Sequence, residues 1–397
     1  MKEGWKELAL KEIGITQTGT TPSKSVASNY GDFIPFIRPS EIDFDGSGSI
    51  NYNSDMKLSE SGLSNGRLFK KNSIFMVCIG TIGKVGFSTI DVSCNQQINV
   101  LTPNKNHNFK FVYYALRNKK FQDEVIKIAK SSQATLPIIS KGKWEILKIA
   151  VPSLDEQERI VEYLDKAFED IDTLKDNSQK QLDDARKLFQ AALTEAMQPK
   201  EGWEEKTLKD IVNKDCPISY GIVQQGDHIT GGIPVVRPVD LCKKYVHKKG
   251  LKCTEKSISN KYKRTILRGI ELLLSVRGTT GVISLASAEL KGCNVNRGIV
   301  PLFFKELISR DFIYYEMTSP QMQKVFLEKT TGSTLKQINI KALREIHLYI
   351  PPFNEQQEIV QKLDALSDNV QKLEEINRKV IAECDALKQS ILRQIFE

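Results

Sequence analysis

The sequence has few of the residues that build metal and catalytic sites. Its 397 residues include only four His, and the seven Cys (at 78, 94, 216, 242, 253, 293 and 384) form no Cys-x-x-Cys pair. Cysteine and histidine at metal-ligand spacing are therefore missing, so we expect no bound metal and seven reduced, mostly buried thiols.

Long apolar runs are also missing. No run approaches the roughly 20 residues that a membrane-spanning helix needs. Residues 1–12 alternate charged and apolar side chains and lack the continuous apolar stretch of a signal peptide. These absences predict a soluble protein, which we expect in the cytoplasm. The composition, 40% hydrophobic and 27% charged, excludes a disordered chain and is sufficient for two or three packed domains.

What the sequence does contain is an internal duplication with a period of about 199 residues. The matching segments are Glu3-Gly4-Trp5 with Glu201-Gly202-Trp203, Ile34-Pro35-Phe36-Ile37-Arg38-Pro39 with Ile233-Pro234-Val235-Val236-Arg237-Pro238, Gly80-Thr81-Ile82-Gly83 with Gly278-Thr279-Thr280-Gly281, Cys94-Asn95 with Cys293-Asn294, Phe111-Val112-Tyr113-Tyr114 with Phe312-Ile313-Tyr314-Tyr315, and Thr135-Leu136 with Thr334-Leu335. Between these anchors the two halves differ, so the duplication predicts one structural plan carrying two different surfaces.

Charge alternates along the same plan. Residues 1–154 carry 20 Lys and Arg against 13 Asp and Glu, residues 155–198 carry 6 against 12, residues 199–353 carry 25 against 15, and residues 354–397 carry 6 against 9. Basic surfaces bind the phosphates of nucleic acids because each contact releases condensed counterions. In a single domain such an excess is often only a solvated surface, but its repetition favours two nucleic-acid-binding modules.

Each acidic segment has the apolar spacing of one long helix. The spacing alternates between four and three residues, which is the heptad pattern of coiled coils. The predicted seam consists of Ile160, Leu164, Ile171, Leu174 and Leu188 in the first segment and of Ile359, Leu363, Leu366, Val370, Leu373, Val380, Leu387 and Ile391 in the second. Each helix should run roughly 40 residues, or about 60 Å. The apolar residues off this seam are Phe168, Leu182, Phe189 and Ile376. The sequence leaves two alternatives open for these residues: they pack on the partner helix or on another protein.

The basic segments have the patterns of mixed α and β structure. Residues 73–79, 98–101, 272–276 and 299–304 predict strands between turns that contain Gly, Asn and Ser. Residues 111–130 and 312–329 each predict one amphipathic helix. Prolines precede both long helices, for which Asp155 and Asn354 are the predicted N-caps.

Two motifs come close to catalytic signatures and fail. Ile350-Pro351-Pro352-Phe353 lacks the Asn with which amino-methyltransferases hold their target amino group. Gly80-Thr81-Ile82-Gly83-Lys84-Val85 lacks the earlier Gly of a P-loop, where Cys78 stands, and the Ser or Thr after the Lys. No Ser, His and Asp arrangement or carboxylate pair recurs in both halves. We therefore expect no catalytic activity of the chain itself.

Over its whole length the chain resembles the specificity subunits of type I restriction-modification enzymes. The resemblance rests on Pro152-Ser153-Leu154-Asp155-Glu156-Gln157 and Pro351-Pro352-Phe353-Asn354-Glu355-Gln356 ahead of the long helices, on Ile37-Arg38-Pro39 and Val236-Arg237-Pro238, and on the Gly-Thr-x-Gly turns at 80 and 278. It implies two target recognition domains, each reading one half of a bipartite target in double-stranded DNA, with paired helices fixing the unread spacer.

The resemblance also implies partners. Two modification subunits would bind this chain, and restriction subunits would join them for cleavage. Methyl transfer, ATP hydrolysis and cleavage would belong to those partners, which would bind the S-adenosylmethionine, ATP and Mg. The chain itself would need no cofactor and would form part of a type I restriction endonuclease and adenine DNA methyltransferase complex.

Together these observations predict an α+β fold with four parts. Residues 1–154 form the first target recognition domain, 155–198 the first long spacer helix, 199–353 the second target recognition domain and 354–397 the second long spacer helix. If the helices pair as an antiparallel coiled coil, a pseudo-two-fold axis relates the two mixed α/β globules. Dimeric repressors contact two DNA half-sites with the same symmetry.

Polar residues near the repeated anchors are the candidates for DNA reading, because Arg, Lys, Asn, Gln, Ser and Thr read base edges. They are Thr21, Ser23, Lys24, Arg38, Thr81, Lys84, Asn95, Gln96, Gln97, Lys130, Ser132, Gln133 and Thr135 in the first half and Gln224, Gln225, Arg237, Arg277, Thr279, Asn294, Asn296, Arg297, Lys329, Ser333 and Lys336 in the second. Each has an alternative interpretation as a turn residue or a surface charge. Arg38 and Arg237 have a further one, as scaffold residues paired with a carboxylate. Residues without a counterpart in the other half, such as Lys24, Gln224 and Arg297, are the stronger candidates for sequence discrimination.

The alternative function is that of a two-headed coiled-coil adaptor whose basic globules bind an acidic protein or RNA without sequence preference. Deleting one heptad from both helices separates the two hypotheses. A specificity subunit would then prefer a different spacer, whereas an adaptor would keep its ligand.

Overall fold

Two compact units make up the chain. The computed structural model describes residues 3–43, 48–52, 56–131, 136–333 and 335–397. The first unit combines residues 1–180 with residues 377–397, and the second is the continuous segment 181–376. Both units are mixed α and β, and each contains a part of both long helices.

The described residues of the first unit begin with nine short strands and five short helices. The strands are β1 (Lys6–Ala9), β2 (Gly14–Thr18), β3 (Tyr30–Ile37), β4 (Lys57–Leu58), β5 (Ile74–Val77), β6 (Val85–Phe87), β7 (Ser93–Cys94), β8 (Ile98–Pro103) and β9 (Lys148–Val151). The helices are α1 (Leu10–Ile13), α2 (Glu60–Ser64), α3 (Phe109–Arg117), α4 (Lys119–Lys130) and α5 (Lys141–Trp144), followed by the long helix α6 (Leu154–Ala196).

Strand β5 is the centre of the first unit. It lies in a four-stranded sheet of order β2-β8-β5-β6, and all four of its residues are buried. Ile74 and Met76 face one apolar cluster, while Phe75 and Val77 face another, because successive side chains of a strand point to opposite faces. A second sheet of order β4-β3-β7 contains a parallel β3–β7 pair.

The second unit repeats this plan. Its strands are β10 (Glu204–Thr207), β11 (Ile233–Val236), β12 (Tyr245–Val246), β13 (Lys252–Thr254), β14 (Leu272–Ser275), β15 (Ile283–Ala286), β16 (Asn294–Val295), β17 (Ile299–Leu302), β18 (Thr330–Thr331), β19 (Gln337–Ile338) and β20 (His347–Ile350). Its helices are α7 (Leu208–Ile211), α8 (Lys256–Asn260), α9 (Arg310–Thr318), α10 (Pro320–Lys329) and α11 (Ile340–Arg344), followed by the long helix α12 (Phe353–Phe396). Four runs that were predicted as strands are β5, β8, β14 and β17.

Three strands of the four-stranded sheet correspond between the units, β8-β5-β6 to β17-β14-β15, whereas the fourth differs, because β2 lies beside β8 and β12 lies beside β15. Strand β14 lies inside the order β12-β15-β14-β17, and β11 pairs in parallel with β16 as β3 does with β7. The antiparallel pair β10–β20 corresponds to β1–β9. Each globular part is therefore closed by a strand from its beginning and one from its end.

The predicted single helices 111–130 and 312–329 are each two helices. Helix α3 ends at Arg117, and the Asn118 side chain accepts a hydrogen bond from the Lys120 backbone to begin α4. Ser319 does the same for α10 by accepting from the Met322 backbone, and a proline follows it. Both breaks arise because a capping side chain restarts the helix, which apolar periodicity does not register.

A buried glutamine fastens the start of each long helix. Gln157 and Gln356 are both 1% exposed. Gln157 accepts a hydrogen bond from the Asn108 backbone at 2.9 Å, and Gln356 accepts one from the Ser309 backbone at 2.7 Å. Each glutamine amide also donates to the carbonyl of a proline before the helix. The Glu-Gln motif therefore ties the long helix to the residue that caps α3 or α9.

The predicted N-caps of the long helices are each two residues too late in the sequence. The helices begin at Leu154 and Phe353, so Asp155 and Asn354 already lie inside them. Ser153 precedes the first helix, and its hydroxyl accepts a hydrogen bond from the Glu156 backbone at 3.4 Å. The prolines stand just before the first turn, as predicted.

The buried seam of the long helices differs from the predicted one at four leucines. Ile171, Leu164, Ile359 and Leu363 are buried, and Ile160, Leu366, Val370, Val380 and Ile391 are half-buried. However, Leu174, Leu188, Leu373 and Leu387 are 51%, 60%, 37% and 50% exposed, so these four leucines do not belong to the seam. Phe168 and Leu182, which were left off the predicted seam, are buried in it, whereas Ile376 is exposed.

Lysine stems explain part of this difference in the first unit. Lys388 is 5% exposed, pairs with Asp172 at 2.5 Å and lies over the Phe168 ring at 5.2 Å. Lys175 is half-buried and pairs with Asp385 at 2.7 Å. A lysine stem is apolar enough to occupy a seam position when its ammonium group reaches a carboxylate. The neighbouring leucines are consequently turned outward.

Candidate nucleic-acid interface

Four loops of the first unit meet beside the end of β5. The β5–β6 turn is held to residues 136–139, because the Gly80 backbone donates to the Pro137 carbonyl at 3.1 Å and the Ile139 backbone donates to the Cys78 carbonyl at 3.0 Å. Gly80 and Gly83 in this turn have φ of 81° and 92°, a region that favours glycine. The Cys78 backbone donates in turn to the Gln97 carbonyl at 2.8 Å, which joins the turn to the loop between β7 and β8.

The loop after β2 and the loop after β3 join the same group. The Thr20 backbone donates to the Cys94 carbonyl at 2.9 Å, and the Asn95 backbone donates to the Ile37 carbonyl at 3.0 Å. Gly19 lies so close to this loop that an added Cβ would be 2.1 Å from the Asn95 carbonyl oxygen. The four loops and residues 136–139 form one polar edge, which we call the first edge.

Most predicted DNA-reading residues of the first half lie on the first edge. Thr21, Arg38, Thr81, Lys84, Asn95, Gln96 and Gln97 are all in these loops. The Thr21 hydroxyl donates to the Gln96 side chain, and the Lys84 ammonium donates to the Pro39 carbonyl at 3.4 Å. Ser23 and Lys24 are exposed on the loop after β2, and Lys130 is exposed at the end of α4. Ser132, Gln133 and Thr135 lie outside the described residues.

The second unit has the same edge, built by equivalent backbone hydrogen bonds. The Gly278 backbone donates to the Lys336 carbonyl at 2.9 Å, and the Ile338 backbone donates to the Val276 carbonyl at 2.9 Å. The Ile222 backbone donates to the Val295 carbonyl at 2.9 Å. Gly221 takes the place of Gly19, since its added Cβ would be 2.1 Å from that same Val295 oxygen. We call this the second edge.

Predicted residues of the second half are distributed over and around the second edge. Its loops contain Arg237, Arg277, Thr279, Asn296 and Arg297, and the residues after Gly221 include Gln224 and Gln225. Exposed residues beside the paired strands β18 and β19 are Ser333 and Lys336. Lys329 is exposed at the end of α10. Asn294 is different, because it is fully buried in β16.

The two edges correct one match of the sequence repeat. Cys94-Asn95 corresponds to Val295-Asn296 rather than to Cys293-Asn294. Asn296 donates its backbone N–H to the carbonyl before Arg237 at 2.9 Å, as Asn95 does to the carbonyl before Arg38. The side-chain oxygens of Asn95 and Asn296 both accept from the backbone two residues later, at 3.1 and 2.9 Å. The shared Cys-Asn pair had placed the match two residues too early.

Asn294 holds the core of the second unit. Its side-chain oxygen accepts from the Thr265 hydroxyl at 2.7 Å and from the Val295 backbone at 2.8 Å. Its amide donates to the Ser259 hydroxyl at 3.0 Å. The polar atoms of the Asn294 side chain are thus satisfied inside the protein, where the residue stabilises the second edge. Its position gives no support to the prediction that it reads DNA.

Arg38 and Arg237 both pair with a carboxylate three residues later. Arg38 donates to Glu41 at 2.9 Å and Arg237 donates to Asp240 at 3.0 Å, and the backbone of each arginine donates to the same carboxylate. Burial acts to raise the pKa of Glu41, but hydrogen bonds from Arg38 and Ser40 outweigh it, so this pKa is below its ordinary value. The contacts of both arginines therefore agree with their interpretation as scaffold residues paired with a carboxylate.

A family model covers nearly the whole chain in two copies. The model described as the type I restriction modification DNA specificity domain matches residues 2–183 and again residues 200–380. The chain belongs to this family. The two matched copies coincide with the two halves of the sequence repeat, so each carries one of the two edges.

Curated relatives extend this family membership over the full length. The chain is 23% identical over 419 residues to the type I restriction enzyme EcoBI specificity subunit of Escherichia coli, covering 99% of this chain and 86% of that protein. It is 22% identical over 421 residues to the EcoKI specificity subunit of Escherichia coli strain K12, covering 100% and 89%.

Solved structures have the same fold. A chain from a study of complex assembly and conformational transition of the type I R-M system superimposes with a TM-score of 0.81 at 19% identity, over 100% of this chain and 98% of that one. The HsdS subunit from Thermoanaerobacter tengcongensis gives a TM-score of 0.61 at 19% identity, over 100% and 97%. At these identities the similarity concerns the fold.

Three residues on the edges of this specificity-family chain were not predicted from sequence. Arg67 is exposed and donates to the Thr18 carbonyl at 2.6 Å, which places a guanidinium on the first edge. Tyr220 and Gln337 line a cavity on the second edge. None of the three lies in a repeated motif. Gln337 lies two positions after the repeated Thr334-Leu335, so a search for polar residues next to the anchors would have found it, but not Tyr220 or Arg67.

The thiols fit a structural interpretation. Cys78, Cys94, Cys216, Cys293 and Cys384 are buried, whereas Cys242 is exposed and Cys253 is half-buried. Burial raises the pKa of Cys78 to about 12 and that of Cys94 well above its ordinary value. Both thiols are therefore protonated and unreactive at neutral pH.

The described part of the chain contains neither a metal-binding cluster nor a membrane-spanning helix. Across residues 3–43, 48–52, 56–131, 136–333 and 335–397, no three His, Cys, Asp or Glu side chains gather closely enough to hold a metal ion. None of the helices described here combines the length and the apolar composition that a membrane crossing requires.

Proposed function

We propose that this specificity-family chain reads a bipartite DNA target, one half with each edge. The observation that carries the proposal is that equivalent backbone hydrogen bonds build both edges while their side chains differ. A shared scaffold with unshared side chains is what two different half-sites require, because base edges are distinguished by the donors and acceptors that face them. The basic charge of residues 1–154 and 199–353 supplies the sequence-independent attraction to phosphates.

The proposed parts follow the predicted boundaries. Residues 1–154 and 199–353 would be the two target recognition domains, and residues 155–198 and 354–397 would form an antiparallel coiled coil that fixes the spacer. Ion pairs support the antiparallel direction: Asp172 with Lys388 and Lys175 with Asp385 in the first unit, and Arg186 with Glu374 in the second. In each pair a higher number in α6 goes with a lower number in α12.

The outward leucines of the long helices are the proposed docking surface for modification subunits. In the first unit, Leu174 and Leu387 are each next to a residue of the two ion pairs that join α6 and α12. In the second unit, Leu188 and Leu373 flank the Arg186–Glu374 pair. Each unit thus presents one pair of exposed leucines, and both pairs occupy the same two positions of the repeated helix. Two equivalent apolar surfaces suit two copies of one partner.

Replacing one leucine pair tests the docking surface. With Leu174→Ser and Leu387→Ser together, we expect a complex that has lost one modification subunit, as measured by light scattering. The matched control is Glu162→Ser on the exposed face of α6. Unchanged mass with both leucines replaced would remove these residues from the docking surface.

The proposal assigns the chemistry to partners. Modification subunits would bind S-adenosylmethionine, restriction subunits would bind ATP and Mg, and the complex would work in the cytoplasm. This chain would contribute target choice and spacer length, with no catalytic group and no cofactor of its own.

Selection of bound duplexes from a random DNA library tests the function directly. The chain is co-expressed with its modification subunit, and the bound duplexes are sequenced. We expect two unrelated short motifs at a fixed separation. Exchange of residues 1–154 for a homologous domain should change one motif only, and deletion of one heptad from both α6 and α12 should change the separation. A featureless pool from a complex that still binds DNA would contradict the proposal and favour the adaptor.

A further inference from the structure

A cavity opens on the second edge. It has a volume of about 340 Å³ and is lined by Tyr220, Val223, Val276, Arg277, Arg297 and Gln337. Three of its residues are apolar or aromatic, two are arginines and one is an amide. Apolar and aromatic walls with a few polar groups are typical of ligand-binding sites.

The walls of the cavity are held by backbone contacts. Arg277 forms a β-bridge with Gln337. The Arg297 backbone donates to the Ile222 carbonyl at 2.7 Å, and the Tyr220 hydroxyl donates to the Ile338 carbonyl at 3.3 Å. The positions from which the two arginine side chains leave the backbone are therefore fixed by the fold.

One arginine donor of the cavity has no hydrogen-bond partner in the described part of the chain. Nη1 of Arg277 is buried and has no hydrogen-bond partner within the described residues. The lining contains no carboxylate. A buried donor without an acceptor costs free energy that an incoming acceptor recovers. The cavity is thus prepared for a ligand that presents hydrogen-bond acceptors.

The same six positions of the first edge carry no cation. Matching backbone hydrogen bonds and β-bridges equate the cavity residues with Thr18, Thr21, Cys78, Ile79, Gln96 and Ile138 in the first unit. Under the proposed function both edges contact the same sugar–phosphate backbone, so a side chain that holds a phosphate should be present in both. The side chain differs between the two edges at every one of these positions. Such side chains are suited to reading bases, which differ between half-sites.

We propose that Arg277 and Arg297 read guanine in the half-site bound by the second edge. Guanine presents two acceptors, O6 and N7, in the major groove, and arginine is the side chain that most often pairs with them. Val223, Val276 and the Tyr220 ring border the cavity and favour a flat, partly apolar group over a hydrated phosphate. This inference rests on the proposed function and adds to it the base that one edge selects.

Selection from a random duplex library with single-residue variants tests the inference. The full complex with the modification subunit is used, and residues 1–154 are exchanged first to assign the motif halves. The wild-type chain should select guanine at one or two positions of the half assigned to the second edge. Arg277→Gln and Arg297→Gln should each lower the discrimination for that guanine by roughly 5- to 150-fold, the range of one bidentate contact. The other half-motif should stay unchanged, and the remaining positions of the second half-motif should also be retained, which shows that the second edge of the variants still folds.

Lys336→Gln is the contrasting variant, because this exposed lysine beside the cavity is a candidate phosphate contact. It should weaken binding to all sequences alike and reduce the slope of log affinity against log salt by about one. If Arg277→Gln behaves in this way, the arginine holds a phosphate and the inference is overturned.

The remaining outcomes separate the inference from the proposed function. A bipartite wild-type motif without guanine in the second half would overturn the inference and leave the proposed function in place. A bipartite motif that neither arginine variant alters would do the same. Absence of any wild-type motif would contradict the proposed function, and the inference with it.

Discussion

Replacing the buried carboxyl of Glu316 should make the second unit more stable at neutral and alkaline pH. Glu316 lies on α9, is 5% exposed, and its Oε2 has no hydrogen-bond partner within the described residues. Burial raises the pKa of this carboxyl from 4.5 to about 7, and a backbone hydrogen bond at Tyr349 opposes the rise. The equivalent position of the first unit, next to Tyr114, holds Ala115, so the carboxyl is a feature of one half only.

The sign and size of the effect follow from proton linkage. The folded chain binds the Glu316 proton more tightly than the unfolded chain does. The free energy of unfolding therefore falls as pH rises from 4.5 to 7, by about 1.4 kcal/mol per pH unit. Above pH 7 the loss is complete at about 3 kcal/mol. Glu316→Gln removes this titration while keeping the shape of the side chain.

The assay is thermal unfolding at a series of pH values from 4.5 to 8. The difference in unfolding free energy between Glu316→Gln and wild type should grow by about 3 kcal/mol over this range, which is roughly 6–12 °C in the midpoint of a unit of this size. Comparing pH values cancels any constant effect of packing the amide. The matched control is Glu328→Gln on the exposed face of α10. Parallel pH profiles for wild type and Glu316→Gln would refute the reasoning.

Three further variants have expected outcomes. Gln356→Ala should lower the unfolding free energy by about 1–3 kcal/mol, because buried partners at the start of α12 lose their hydrogen bonds; Gln357→Ala on the exposed side should change nothing in the same melting experiment. Gly221→Ala should abolish the half-motif of the second edge and spare the other, since its Cβ would meet a backbone oxygen at 2.1 Å, whereas Gly142→Ala has open space and should select both half-motifs normally. Lys388→Ala should cost about 1–3 kcal/mol in urea unfolding and Lys388→Met less than half of that, because the lysine stem fills a buried position; equal losses would show that the ion pair matters more than the stem.

The repeated anchors allowed much of the fold to be predicted from the sequence. Residues such as Arg38 and Arg237 recur because the scaffold needs them, and the same scaffold sets the strands β5 and β14 and the turns that follow them. The family resemblance rested on the residues that fasten the long helices, and Gln157 and Gln356 show why these are retained in both halves: each satisfies buried backbone groups that no shorter side chain would reach.

The seam of the long helices and the edges were harder to predict, for physical reasons. Apolar periodicity selected Leu174 and Leu387, whereas the packed positions next to them are Lys175 and Lys388, whose stems are apolar and whose charges find carboxylates. On the edges, the match of two Cys-Asn pairs hid the equivalence of Asn95 with Asn296, because backbone hydrogen bonds rather than letters define it.

The division of the chain into units has a consequence for its synthesis. The second unit is one continuous segment, but the first needs residues 377–397, which place Leu392 and Phe396 against its apolar cluster. On a ribosome, the globular part of the first unit emerges first, but it cannot complete its fold until the whole of the second unit has been translated. This takes roughly 10–40 s at ordinary elongation rates. During that interval an apolar surface of the first unit stays open to chaperones. The half of the protein that is made first is therefore the half that is completed last.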